Sequence, residues 1–187
     1  MHRIKSVLEL RQKDLTLILA NIHDPHNVSA IFRSCDAFGV PLVHLYYTNE
    51  EFPKLGEKSS ASARKWVDIE RHDNAQDMVQ GLRGQGFQIF CAGLDESAMP
   101  ITECDFTKPS AIVFGNEHRG VDSEIMELAP ERAYIPMQGM IQSLNVSVAA
   151  AVFLYEAWRQ RAAKGMYESP SFDPETLDAM VRDWCER

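Results

Sequence analysis

Four polar residues, Gln142, Ser143, Asn145 and Ser147, crowd the start of a helix whose following positions, Val146 and 148–154, are apolar nearly all round. A helix of that pattern is expected to be buried. Buried polar groups need partners, and a helix start presents free N–H donors. Capping by Ser143 would satisfy one of the four, so a bound polar ligand accounts better for the set. A second polar loop, 114–120, sets Asn116 and Glu117 between Gly115 and Gly120, directly after the apolar run 111–114. Strand carboxyl ends are where α/β folds keep ligands, and flanking glycines let a backbone approach one closely. A glycine-bounded turn before a helix capped by Asp122 explains the same residues equally well. In a third stretch, 21–33, Asn27 stands at an expected helix start and Arg33 follows six residues on. Val28, Ile31, Phe32, Cys35 and Phe38 mark that helix's buried side, with Ser29, Arg33 and Asp36 opposite. Taken alone, these residues need no chemistry. Asn27 serves as an N-cap, and Arg33 makes a surface pair with Asp36 worth under about 1 kcal/mol.

The elements that must position these loops alternate along the chain. Apolar, strand-like runs occupy 15–20, 41–46, 66–69, 87–92, 111–114 and 133–135. Helical stretches at 28–38, 75–83 and 123–128 separate most of them, and a long helix is expected from Leu144 to about Lys164. Near-continuous apolar strands alternating with helices predict an α/β fold: a mostly parallel sheet with helices on both faces. A short basic helix, 3–13, precedes the first strand. Near the end, Asp173 as N-cap, Pro174 at the first helical position, and Leu177, Met180, Val181 and Trp184 predict an amphipathic helix. No GxGxxG follows the first strand and no Walker loop occurs, which removes the simplest dehydrogenase and NTPase readings.

The chain's 187 residues suit one domain, divided into a basic N-terminal helix (1–14), an α/β core (15–164) and an acidic C-terminal extension (165–187). With 45% hydrophobic and 25% charged residues, no membrane-length apolar run and no signal-peptide pattern, a cytoplasmic location is expected. The four cysteines are scattered, so neither a disulfide framework nor a metal site is expected. The net charge of −8 argues at first against a polyanionic partner. Half of it comes from residues 165–187, where six acidic side chains face two basic ones. Positive charge collects at Arg3, Lys5, Arg11 and Lys13, again around Arg64 and Lys65, and at Arg159, Arg161 and Lys164.

Read together, the three loops resemble the motif set of the SPOUT methyltransferases, and within them the TrmH group of tRNA 2′-O-methyltransferases. The stretches 11–16, 60–66, 155–161 and 165–167 extend the similarity over residues 1 to about 167. The resemblance implies transfer of a methyl group from S-adenosylmethionine (SAM) to the ribose 2′-oxygen of the D-loop guanosine at tRNA position 18. It also implies a SPOUT-type fold with a deep C-terminal trefoil knot, an exception to the usual rule of unthreaded connections, and a homodimer with its active site at the subunit interface. Carried onto this sequence, Arg33, Asn27, Glu117, Asn145 and Ser143 are the expected catalytic residues. Gly115, Asn116, Glu117, Gly120, Ile135, Met140, Ser143 and Leu144 are expected to hold SAM, and Arg3, Lys5, Arg11, Lys13, Arg64 and Lys65 the RNA. A guanidinium is an awkward general base because its free pKa exceeds about 12, so Arg33 is expected to clamp a phosphate and stabilise the developing alkoxide. The extension here is shorter and more acidic than in many members of the group, which leaves more phosphate contact to the N-terminal cations. Alternative readings are a 2′-O-methyltransferase of ribosomal RNA or of the tRNA wobble position, or a non-catalytic interaction module.

Overall fold

The run Leu15–Ala20 forms strand β1, buried at every residue, and the rest of the sheet is laid parallel to it. The computed structural model describes residues 2–53 and 65–187. Among these, α1 (His2–Leu8) precedes β1, followed by α2 (Pro25–Ala37), β2 (Leu42–Tyr46), β3 (Asp68–His72), α3 (Ala75–Gly84), β4 (Gln88–Ala92) and β5 (Met99–Pro100). Then come β6 (Ser110–Phe114), α4 (Ser123–Leu128), β7 (Arg132–Tyr134), α5 (Val146–Ala163) and α6 (Pro174–Glu186). The seven strands lie in the order β3-β2-β1-β6-β4-β7-β5, every pairing parallel.

Alternation along β1 assigns the two cores. Leu15, Leu17 and Leu19 meet Val28, Ile31 and Phe32 of α2 and Phe153 and Leu154 of α5. Ile18 and Ala20 turn to the other face and meet Met78, Val79 and Leu82 of α3 and Ile125 of α4. The expected sheet with helices on both faces is therefore present. Because β1 and β6 are neighbours, with Leu19 opposite Phe114, the loops leaving their carboxyl ends emerge side by side. That adjacency brings together the first two polar stretches, nearly 90 residues apart in sequence.

Several expectations need correction. The strand expected at 66–69 is β3, two residues later and largely exposed, because it is an edge that buries little. The two-residue β5 was too short to leave a periodic signal. The basic helix expected over 3–13 stops at Leu8. Beyond it the Gln12 amide donates to Gly39 O (2.9 Å), and Arg11 is drawn inward.

Arg11 is 1% exposed. Its guanidinium pairs with Asp36, donates to Val40 O at 2.9 Å and lies 5.2 Å from the Trp184 ring centre. It is a core residue and not an RNA contact. Arg161, grouped by sequence with exposed cations, is 0% exposed. It donates to the carbonyls of Phe106 (2.9 Å), Asp14 (3.1 Å) and Lys108 (3.1 Å), closing the amino-terminal end of the sheet, opposite the polar loops.

The terminal helix α6 is capped by Asp173, which accepts from the Thr176 amide at 2.9 Å. It packs in its own chain against α1, through Leu177 and Trp184 on Leu8 with Ile4 and Trp66 alongside. The helix α5 is not buried all round. Val148, Tyr155 and Trp158 remain 48%, 53% and 38% exposed, giving an apolar strip on the surface.

Arg161 pairs with the Asp14 carboxylate at 2.5 Å in a site otherwise closed by backbone carbonyls, so its removal leaves a charge and several acceptors unpaired. Arg161→Ala should lower the unfolding free energy by about 3–5 kcal/mol. Arg159→Ala, two residues away on the exposed side, should shift the urea midpoint far less. Urea denaturation of the two variants checks this.

Candidate active site

The helix α2 begins three residues before the sequence reading placed it. Asp24 is the N-cap, its Oδ1 accepting from the His26 amide at 2.8 Å, and Pro25 follows at a position where no N–H is needed. Asn27 is thereby released from capping and sits, 8% exposed, inside the first turn. Its Nδ2 donates to Glu117 Oε1 at 2.8 Å, and its Oδ1 accepts from Asn145 Nδ2 at 2.9 Å. Asn145, not Ser143, caps α5: its Oδ1 accepts from the Ser147 amide (2.8 Å) and from Ser147 Oγ (2.6 Å). One directed chain of hydrogen bonds, Ser147 to Asn145 to Asn27 to Glu117, thus ties the three polar stretches together.

Glu117 terminates the chain at the start of α2. Its carboxylate also accepts from the amides of His23 (2.9 Å) and Asp24 (3.1 Å), where a helix N-terminus favours negative charge. Burial opposes ionisation. The hydrogen bonds from Asn27, His23 and Asp24 outweigh it and hold the carboxyl below its ordinary range.

Asn116 and Asn21 fix the backbone underneath. Asn116 donates to Asn21 O at 2.9 Å and accepts from the amides of His118 (2.9 Å) and Arg119 (3.2 Å). Asn21 adopts φ 51°, a conformation Asn tolerates better than most residues. Its Oδ1 gathers the amides of Thr48, Asn49 and Glu50 at 3.0–3.2 Å, and its Nδ2 donates to Asp122 Oδ2 at 2.7 Å. Asp122 stands at the N-cap of α4 without making a side-chain cap bond. At Gly115 a Cβ would lie 2.2 Å from the Gly120 backbone, so this glycine is required by the chain folding back on itself. Gly120 has φ 74°, the left-handed conformation that closes the turn.

These loops surround a cavity of about 410 Å³ at the carboxyl ends of β4, β6 and β7. That is within the range of ligand pockets, roughly 300–1,000 Å³. Gly115, Asn116, Glu117, Gly120, Ile135, Ser143 and Leu144, all predicted ligand contacts, line it, and so does Asn145. Met140 does not: it is fully exposed, and Met137, three residues earlier, takes the place in the wall. Sequence reasoning missed Gly93 and Leu94 after β4, and Phe153 from α5. Neither Gly93 nor Leu94 carries a polar side chain to single it out, and Phe153 reads as ordinary core.

Asn27 touches Glu117 and Asn145 but does not itself line the cavity, and Arg33, exposed on α2, lies outside this constellation. Its expected surface partner, Asp36, is taken by Arg11, and among the described residues Arg33 makes no ion pair. Arg3, Lys5, Lys13 and Lys65 are exposed, while Arg64 lies outside the described residues.

Residues 14–155 match the sequence profile of the SpoU rRNA Methylase family. The chain belongs to the SpoU methylase family. Among its relatives is a protein of Thermus thermophilus named tRNA (guanosine(18)-2′-O)-methyltransferase, 45% identical over 185 residues, which are 99% of this chain and 95% of that one. The crystal structure of the Aquifex aeolicus TrmH/SpoU tRNA modifying enzyme superposes with a TM-score of 0.92 at 43% identity, covering 99% of this chain and 94% of that one. An AdoMet-bound rRNA methyltransferase from Sinorhizobium meliloti is more distant, at 26% identity and a TM-score of 0.68, covering 83% of this chain and 59% of that one. The SpoU core therefore accounts for all three polar stretches, and the similarity to the TrmH-type structure extends through α1 and α6.

Glu117 gives the SpoU site a defined acid response. Its depressed folded-state pKa means that its contribution to stability is complete above the ordinary value of 4.5 and is lost as the pH falls through the lower folded value. Wild type should exceed Glu117→Gln in stability at neutral pH, and the gap should narrow on acidification below about pH 4.5. Denaturant titrations of both proteins across that range measure it.

Proposed function

We propose that this protein methylates the ribose 2′-oxygen of guanosine 18 in the tRNA D-loop, using SAM as the methyl donor. The observation that carries this reading is the convergence of the three polar stretches on one cavity, within a chain similar from end to end to an enzyme named for that reaction. The cavity suits the donor chemically. Ile135, Leu144 and Phe153 offer apolar walls for a nucleoside, while the 115–120 backbone and the side chains of Gln142 and Ser143 offer polar contacts. When bound, SAM supplies a methyl group activated by an adjacent sulfonium.

The protein's own groups bind, orient and compensate charge. Glu117 already accepts three hydrogen bonds and is held ionised, so it acts as a positioning residue that fixes Asn27 and, through it, Asn145. Asn145 and Ser143 shape the wall nearest the start of α5. Arg33, exposed and without an ion-pair partner among the described residues, clamps a phosphate beside the target ribose and stabilises the alkoxide as it forms. Fixing both reactants lowers the barrier further, since correct placement alone is worth up to about 7–11 kcal/mol.

The working unit in this reading is a homodimer in which Arg33 of one subunit serves the cavity of the other. The exposed apolar strip of α5 supports that arrangement, with Met140 and Ile141 exposed nearby in sequence. The helix α2 lies against the same helix, Phe38 meeting Tyr155 edge-on at 6.3 Å between ring centres. The deep C-terminal knot, the single-domain organisation of residues 1–187 and a cytoplasmic location complete the proposal. No described helix is long and apolar enough to cross a membrane. Arg3, Lys5, Lys13 and Lys65 supply exposed charge for tRNA phosphates.

Labelled-methyl transfer from SAM to unmodified tRNA and to ribosomal RNA, followed by mapping of the modified nucleotide, tests the assignment. Label on the 2′-oxygen of guanosine 18 is expected; label only on ribosomal RNA would overturn it. Arg33→Ala should reduce transfer by about 10²–10³-fold while leaving SAM affinity unchanged by calorimetry. Near-normal turnover in Arg33→Lys would refute the bidentate clamp. Replacing Lys5 and Lys13 together by alanine should flatten the dependence of tRNA affinity on salt by about one to two units of the log–log slope. Arg11→Ala should not flatten it.

A further inference from the structure

Away from the cavity, the described residues bring together one set of side chains with metal-ligand chemistry. In the parallel register of β2 and β3, His44 stands opposite Glu70 and Tyr46 opposite His72. Strand alternation therefore turns His44, Glu70 and His72 to the same face of the sheet. His44 Nδ1 and His72 Nε2 lie 2.9 Å apart, and oxygens of the Glu70 carboxylate lie 3.8 Å from the first and 3.7 Å from the second.

Zinc binds imidazole nitrogen and carboxylate oxygen at about 2.0–2.2 Å in a tetrahedron, which puts any two donor atoms about 3.3 Å apart. The imidazole nitrogens are closer than that, and each carboxylate oxygen lies somewhat farther from the histidine it faces. With one donor atom per residue inside 4.8 Å, a rotation of the exposed Glu70 side chain would seat the ion. Two imidazoles and one carboxylate, with solvent at the fourth position, form a donor set that zinc accepts. His44 is buried and His72 is nearly so, whereas Glu70 is 56% exposed, so the seat opens to water at the sheet edge. An imidazole pair at this distance without an ion has to share one proton between facing nitrogens.

We propose that His44, Glu70 and His72 bind one divalent transition-metal ion, zinc by class, which cross-links edge strand β3 to β2. None of the three lines the cavity, so the role is structural and independent of methyl transfer. The expectation of no metal rested on the scattered cysteines, whereas the donors proposed here are two histidines and a glutamate. Its histidines are 28 residues apart in sequence, and only strand pairing makes them neighbours.

The test is titration of the full-length, chelator-stripped protein with Zn²⁺ by calorimetry and with Co²⁺ by visible absorbance. One equivalent per chain is expected, with the intense d–d bands of a tetrahedral Co²⁺. A hundredfold excess of Zn²⁺ over its Kd should raise Tm by about 5–10 °C. Glu70→Gln and His72→Ala should each weaken binding by about 100-fold or more, at least the 10–100-fold lost when a hydrogen-bonding support of a metal ligand is removed. If His72→Ala fails to fold, Glu70→Gln at its exposed position carries the test. Undiminished binding in Glu70→Gln would identify an adventitious ion only, and no binding at micromolar metal would equally overturn the proposal.

Discussion

The site depends on one carboxylate that can only accept hydrogen bonds. An ionised Glu117 has no proton to give, so the Asn27 amide must turn its NH₂ toward it and its oxygen away. That oxygen faces Asn145, which must then present its own NH₂ and keep its oxygen for the start of α5. A single charge at the end of the chain therefore sets the direction of every link. The helix N-terminus of α2 holds the charge in place through two backbone amides. Loops from three separated parts of the sequence are locked in mutual register by side-chain hydrogen bonds.

A second consequence of buried charge concerns Arg33. Asp36 lies on the same helix at i+3 and would be its natural partner, but Arg11 reaches Asp36 from the interior and is itself fixed by Val40 O and the Trp184 ring. In the proposed reading, the N-terminal segment and the terminal helix thereby bear on Arg33 at a distance. By occupying Asp36 they leave the Arg33 guanidinium available for an anion. The apolar strip on α5 beside α2 is the surface that the proposed second subunit would cover.

Much of this was legible in the sequence. The 15–20 run, apolar but for Thr16, and the 111–114 run read correctly as strands buried on both faces. The three polar stretches do converge, although Met140 falls outside the cavity wall and Arg33 outside the constellation. What failed was whatever required a partner from elsewhere in the chain. Asn27 looked like a cap because its true partners lie 90 and 118 residues away. Arg11 and Arg161 looked like surface cations because nothing local announces that backbone carbonyls and a tryptophan will enclose them. The start of α5 shows the same limit from the other side. The apolar composition of 146–154 predicted burial, yet Val148 is half exposed, because hydrophobicity reports that a face needs covering without saying whether its own chain covers it.

The central claim, that Asn27 and Asn145 act as one unit in assembling the cavity, is tested most directly by a double-mutant cycle. SAM affinity would be measured by calorimetry for wild type, Asn27→Ala, Asn145→Ala and the double variant. Each single variant is predicted to bind more weakly, and the double variant to lose little more than the worse single one, a coupling of about 1 kcal/mol or more. Strictly additive losses, or unchanged affinity in Asn27→Ala, would contradict the account.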